Sequence, residues 1–125
     1  MPSGEHILVT GGAGFIGSAF TQRVIDNNQV TVLDTFQRDS LQNWPGLTEH
    51  PNLRIVKGSV LDPAQVEDAM AEATMVVHCA AVAGVDTVIA QPTRTMKVNV
   101  IGTYNVLEAA VARGSIRRFI DFSTS

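Results

Sequence analysis

The chain has a single cysteine, Cys79, so it can form neither an internal disulfide nor a cysteine-rich zinc site. That fits a reducing compartment, and the cytoplasm is the expected location. Basic charge is scarce as well: nine Lys and Arg face twelve Asp and Glu for a net charge of -3, and no basic block exceeds the pair Arg117-Arg118. A partner held through a phosphate backbone is not expected, which sets nucleic acid aside. No apolar run approaches the ~18 to 20 residues needed to span a bilayer, and the first residues carry no basic n-region. Neither a membrane anchor nor a secretory signal is expected. Charged residues are few at 17% while apolar ones reach 45%, a balance that belongs to folded globular chains rather than disordered ones. With 125 residues, the expectation is one domain around one core. No set of residues is read as metal ligands.

What is present is an alternation of short β-branched runs and helical patterns. His6 to Thr10 is a buried strand that stops at Gly11, Gly12 and Gly14, and from Phe15 to Asn27 apolar residues recur at helical spacing. Val30 to Asp34 is a second strand. The stretch from Thr35 to Asn52, with Pro45, Gly46 and Pro51, reads as a long excursion holding a helical turn near Trp44. Leu53 to Lys57 is a third strand, and Asp62-Pro63 has the form of an N-cap with proline at the first position of a helix running to about Ala73. Met75 to Cys79 is a fourth strand, followed by small residues to Gln91. Pro92 opens a helix that runs to about Arg113 and closes at Gly114, and Arg118 to Phe122 is a fifth strand. Continuous apolar strands separated by helices demand a parallel sheet covered on both faces. Right-handed crossovers then give a doubly wound α/β sheet of order 3-2-1-4-5, the Rossmann type, with its ligand crevice at the carboxyl ends where the order reverses.

The chemistry-bearing residues gather at those ends. Gly11, Gly14 and Gly17 stand between a strand and a helix, where the amides of the first turn, Phe15 and Ile16 among them, can face a pyrophosphate. Gly11 permits the tight turn, Gly14 admits the diphosphate to the main chain, and Gly17 lets the helix pack on the sheet. A turn that binds nothing is the plain alternative. Asp34 ends the second strand seventeen positions after Gly17, where a carboxylate accepts ribose hydroxyls and repels a 2′-phosphate. NAD is therefore favoured over NADP, although Arg38 is near enough in sequence to serve a 2′-phosphate.

Four segments, 10–17, 76–81, 99–110 and 118–125, resemble the extended short-chain dehydrogenase/reductases, in particular the NAD-dependent epimerases, dehydratases and decarboxylases of nucleotide sugars. The resemblance covers essentially the whole chain in the right order. It implies that Cys79, Ala80, Ala81 and Val82 pass under the nicotinamide end, where small side chains leave room, though plain helix-sheet packing explains small residues too. It implies that Asn99 and Ser123 lie near the cofactor, and that the apolar helix around Asn99 joins a two-fold, four-helix homodimer interface. His78 is read as a structural member of the fourth strand. Where many relatives have Gly-Asp after strand three this chain has Gly58-Ser59-Val60, so Ser59 replaces the adenine contact weakly and Val60 offers only backbone. Asp62 is better explained as a helix cap.

The family's general base is a tyrosine four residues before a lysine, with its pKa lowered by neighbouring positive charge. Here the only tyrosine is Tyr104, four residues before Glu108, so no such pair lies within these 125 residues. A Ser or Thr after strand five orients the substrate hydroxyl; Thr124 and Ser125 are both candidates, with Thr124 preferred. The expectation is an NAD-binding region, residues 1–125, cut off at the end of strand five from a Tyr/Lys helix and a substrate lobe, and inactive alone. The enzyme so implied would act on a UDP-, dTDP- or GDP-sugar. Two rivals stand beside it: an NAD-binding regulatory module without chemistry, and an extended short-chain reductase with a non-sugar substrate.

Overall fold

The computed structural model describes residues 2–80 and 89–122. Five parallel strands, β1 (His6–Thr10), β2 (Gln29–Asp34), β3 (Leu53–Lys57), β4 (Met75–His78) and β5 (Arg118–Asp121), form one sheet in the order β3-β2-β1-β4-β5. The expected order is thus the observed one. β1 lies at the centre, and its alternating side chains feed two cores. Ile7 and Val9, with Val30, Val32, Met75 and Val77, pack against α1 (Phe15–Val24) and the 35–52 excursion. Leu8, Leu33 and Val76 pack on the other face against α2 (Pro63–Met70) and the helix at the chain's far end. Burial on both faces is why these strands read as unbroken apolar runs instead of alternating ones.

Helix boundaries follow from identifiable side chains. α1 gives way to a 3₁₀ turn at Ile25–Asn27, because the buried Asn28 donates from Nδ2 to the Val24 carbonyl at 2.8 Å while its Oδ1 accepts from Glu5 N–H. α2 starts as expected, with Asp62 accepting from the amides of Ala64 and Gln65 and Pro63 in the first turn. It ends at Met70, three residues short of the expected Ala73. The last helix differs more. It is α-helical over Pro92–Met96 (α3) and Thr103–Arg113 (α4), with a π-helical segment, Lys97–Gly102, between them. Gly114, at φ +72°, closes it in the left-handed region.

The excursion is anchored rather than loose. A 3₁₀ turn at Ser40–Asn43 buries Leu41, Trp44 packs partly buried against the same core, and Ser40 N–H donates to the Ala13 carbonyl at 2.7 Å. Among the described residues no helix is long and apolar enough to cross a membrane.

Candidate functional site

The carboxyl ends of β1, β2 and β4 meet at the point where the strand order reverses, and the glycine turn fills it. Gly11, at φ +67°, extends the ladder by donating to the Leu33 carbonyl at 2.8 Å, and a side chain there would come within 2.7 Å of the Ala80 amide nitrogen. No other residue fits that backbone and that approach. A Cβ at Gly17 would lie 2.5 Å from the Gly11 carbonyl oxygen, so α1 docks on its own turn only through a bare backbone. Gly14 is different: its added Cβ would meet only the Gly11 oxygen, at 3.2 Å. The side of the turn at Gly14 is open. Phe15 is 81% exposed and Ile16 52%, although both are apolar and sit in the first turn of α1. α1 has no side-chain cap and no acidic residue in its first turn.

Asp34 is tied to this turn. Its Oδ2 accepts from Ala13 N–H at 3.0 Å and its Oδ1 from Phe36 N–H at 2.8 Å. Each carboxylate oxygen keeps further acceptor capacity for an incoming hydroxyl. Phe36 takes a left-handed φ of 62°, which an aromatic residue adopts at a cost of about 1–2 kcal/mol, and its ring packs on the core beneath. No pattern in the sequence marks that strain.

On the other side of β1, Thr10 Oγ1 accepts from Ala80 N–H at 3.2 Å and lies 2.5 Å from His78 Nδ1. His78 Nε2 lies 3.0 Å from Thr103 Oγ1, which itself donates to the Asn99 carbonyl at 2.8 Å. Asn99 falls in the π-helical segment and is half-buried, not on an ordinary α-helical face as expected. His78 is buried, and burial pushes its pKa below the ordinary imidazole value, with Asp121 opposing the shift. Burial also pushes the Cys79 thiol up to about 11, so it is neither a nucleophile nor a thiolate ligand near neutral pH.

The segment after β3 is partly engaged internally. Ser59 Oγ accepts from Leu61 N–H at 3.0 Å, and the Val60 carbonyl accepts from Asn105 Nδ2 at 2.9 Å. Tyr104 is 61% exposed, and its contact with Glu108 raises its pKa, opposite to what a general base needs. The structure thus brings Gly11, Gly14, Phe15, Ile16, Gly17, Asp34, Cys79 and Ala80 together at the carboxyl ends of β1, β2 and β4. Ala81, Val82, Ser123, Thr124 and Ser125 lie outside the described residues. Thr10, Thr103 and Asn105 were not singled out by sequence reasoning. They are ordinary polar residues in the segments at 10–17 and 99–110, and only the fold reveals their partners.

A model of the NAD dependent epimerase/dehydratase family matches residues 7–125. The chain is 40% identical over 121 residues to the low-salt glycan biosynthesis protein Agl12 of Haloferax volcanii, covering 94% of this chain and 39% of that protein. It is 41% identical over 119 residues to a dTDP-glucose 4,6-dehydratase of Mycolicibacterium smegmatis, covering 90% of this chain and 34% of that one. Among solved structures, the Bordetella bronchiseptica enzyme WbmG in complex with NAD superposes with a TM-score of 0.81 at 30% identity, over 98% of this chain and 38% of that chain. The chain therefore spans little more than a third of the length of these proteins.

Proposed function

Because this chain belongs to the NAD dependent epimerase/dehydratase family, we propose that it is the cofactor-holding part of an enzyme that epimerises, dehydrates or decarboxylates a nucleotide sugar. The glycine turn clamped to Asp34 carries this reading. Ala13 donates to the carboxylate of Asp34 and accepts from Ser40, so turn, strand end and excursion form one rigid edge. The diphosphate of NAD would face the amides of Phe15, Ile16 and Gly17, and the adenosine ribose would donate to Asp34. Ser59 and Val60 would border the adenine, while Cys79, Ala80, Ala81, Val82, Asn99 and Ser123 would border the nicotinamide end. When bound, NAD supplies transient storage of a hydride taken from the sugar. Thr124 or Ser125 would orient the sugar hydroxyl, and the Tyr/Lys pair would come from chain beyond residue 125. The 41% identity with a dTDP-glucose 4,6-dehydratase supports including dehydration among the three reactions.

A stripe of Met96, Val100, Tyr104, Leu107 and Val111, each at least 44% exposed, supports pairing of two copies through this helix. The soluble interior of the cell, the cytoplasm, is the compartment this reading expects. Calorimetric titration of the full chain tests the cofactor: NAD should bind, with NADP about tenfold weaker or more because Asp34 repels a 2′-phosphate. A folded sample giving no heat with NAD overturns the reading. Incubation of the intact protein with dTDP-, UDP- and GDP-sugars tests the substrate; turnover only of carbonyl compounds unrelated to sugars overturns that part.

A further inference from the structure

The polar groups behind the crevice form a single directed chain. A carbonyl can only accept, so the Thr103 hydroxyl spends its proton on Asn99, and its oxygen must receive one from His78 Nε2. A buried neutral imidazole with Nε2–H has an accepting Nδ1, so the Thr10 hydroxyl donates to it at 2.5 Å. Thr10 Oγ1 in turn accepts from Ala80 N–H. Every proton on this path has one place to go.

The two ends of the path matter. Ala80 is the residue whose backbone rests on bare Gly11, and Asn99 lies in the π-helical segment. Asp34 marks the adenosine side at β2 and the glycine turn marks the diphosphate. The second nucleoside of a dinucleotide laid across the switch point then falls on the β4 side, beside Ala80. We infer that Thr10, His78 and Thr103 are positioning residues that fix the Ala80 backbone relative to Asn99 and so shape the nicotinamide half of the crevice. This rests on the cofactor reading above. None of the three touches the reacting atoms; they act through Ala80 and Asn99. The charged group facing His78 is Asp121, and Phe119 lies against the ring at 6.4 Å between centroids.

The test compares NAD with ADP-ribose, which lacks only the nicotinamide, by calorimetry on the full chain. Thr10→Val and Thr103→Val keep shape and remove a hydroxyl. Each is expected to raise the Kd for NAD about tenfold while ADP-ribose changes less than about twofold. The double variant should be no worse than either single one, because one broken link already frees the path. Thr10→Ser should restore NAD binding. Independently of any variant, imidazole nitrogen shifts of the unaltered chain should show the Nε2–H tautomer of His78 at neutral pH. An Nδ1–H tautomer or an imidazolium there overturns the inference. So do equal losses for both ligands, no loss for either, or multiplied losses in the double variant. If the unaltered chain binds neither ligand, the cofactor reading itself falls instead.

Discussion

Two of the helices that follow strands in this sheet, α1 and α2, begin in opposite ways. α2 closes its own start: Asp62 places a carboxylate on two amides of the first turn, and Pro63 removes a third donor. α1 brings no side chain and no acidic residue to its first turn, and it opens from Gly14, whose free side faces the crevice. The positive end of a helix needs a partner. In α2 the partner is built in, and the chain gains stability from it. In α1 it is left out, at a position where the neighbouring residues Phe15 and Ile16 are exposed despite being apolar. The difference separates a helix start that serves folding from one that, on the function proposed above, is left open for an external anion.

The largest expected effect comes from making α1 resemble α2. Gly14→Asp would supply a capping carboxylate where the diphosphate is to lie; the Kd for NAD should rise about 100-fold while stability stays within about 1 kcal/mol. Titration calorimetry and thermal unfolding of one sample decide it, and unchanged NAD affinity would erase the contrast. Gly17→Ala should cost about 2–3 kcal/mol, since its Cβ would meet backbone atoms of Gly11 and Gly12 that cannot swing aside. Urea unfolding measures this. Asp34→Asn should weaken NAD about tenfold and narrow its advantage over NADP, because the carboxylate that holds two amides, and on the proposed function accepts the ribose, loses its charge. The opposite alteration at α2, Asp62→Ala, should remove about 1 kcal/mol of stability and leave the Kd for NAD within about twofold.

The smallest effect concerns pH. The pKa of His78 is lowered in the folded chain, so as pH falls below about 6.5 the unfolded chain takes up that proton first. Its contribution to stability is complete above that pH, declines as pH falls toward the lowered value, and is flat beyond it. Amide exchange, corrected for intrinsic rates, should lose protection around the glycine turn before the start of α2. His78→Asn should flatten that dependence.

Most of the fold was legible because the inner strands β1, β2 and β4 are short apolar runs buried between two layers and several boundaries carry a stop: the glycines after Thr10, Asn28 after α1, Asp62-Pro63 before α2, Gly114 after α4. The glycine turn and Asp34 were legible for the same reason, since tight backbone approach and a strand-terminal carboxylate leave a mark in residue type. The π-helical segment was not. Its residues have the same apolar periodicity as an α-helix, and the extra width arises from docking: Gly102 lies so close to Val60 that a Cβ would be 2.5 Å from its side chain, and Asn105 bonds to the Val60 carbonyl. Nor was the left-handed Phe36 foreseeable, because the core that holds its ring is assembled from residues distant in sequence. Thr10, His78 and Thr103 are spread over 94 positions, and no spacing rule joins them.

The wide turn at Lys97–Gly102 amounts to one surplus residue in an otherwise continuous rod. Deleting a single position there would rotate everything from Pro92 to Met96 by about 100° against the anchored half beyond it. Insertion and loss at this spot are thus a means of re-aiming one end of the helix, and whatever surface it presents, without unseating the other.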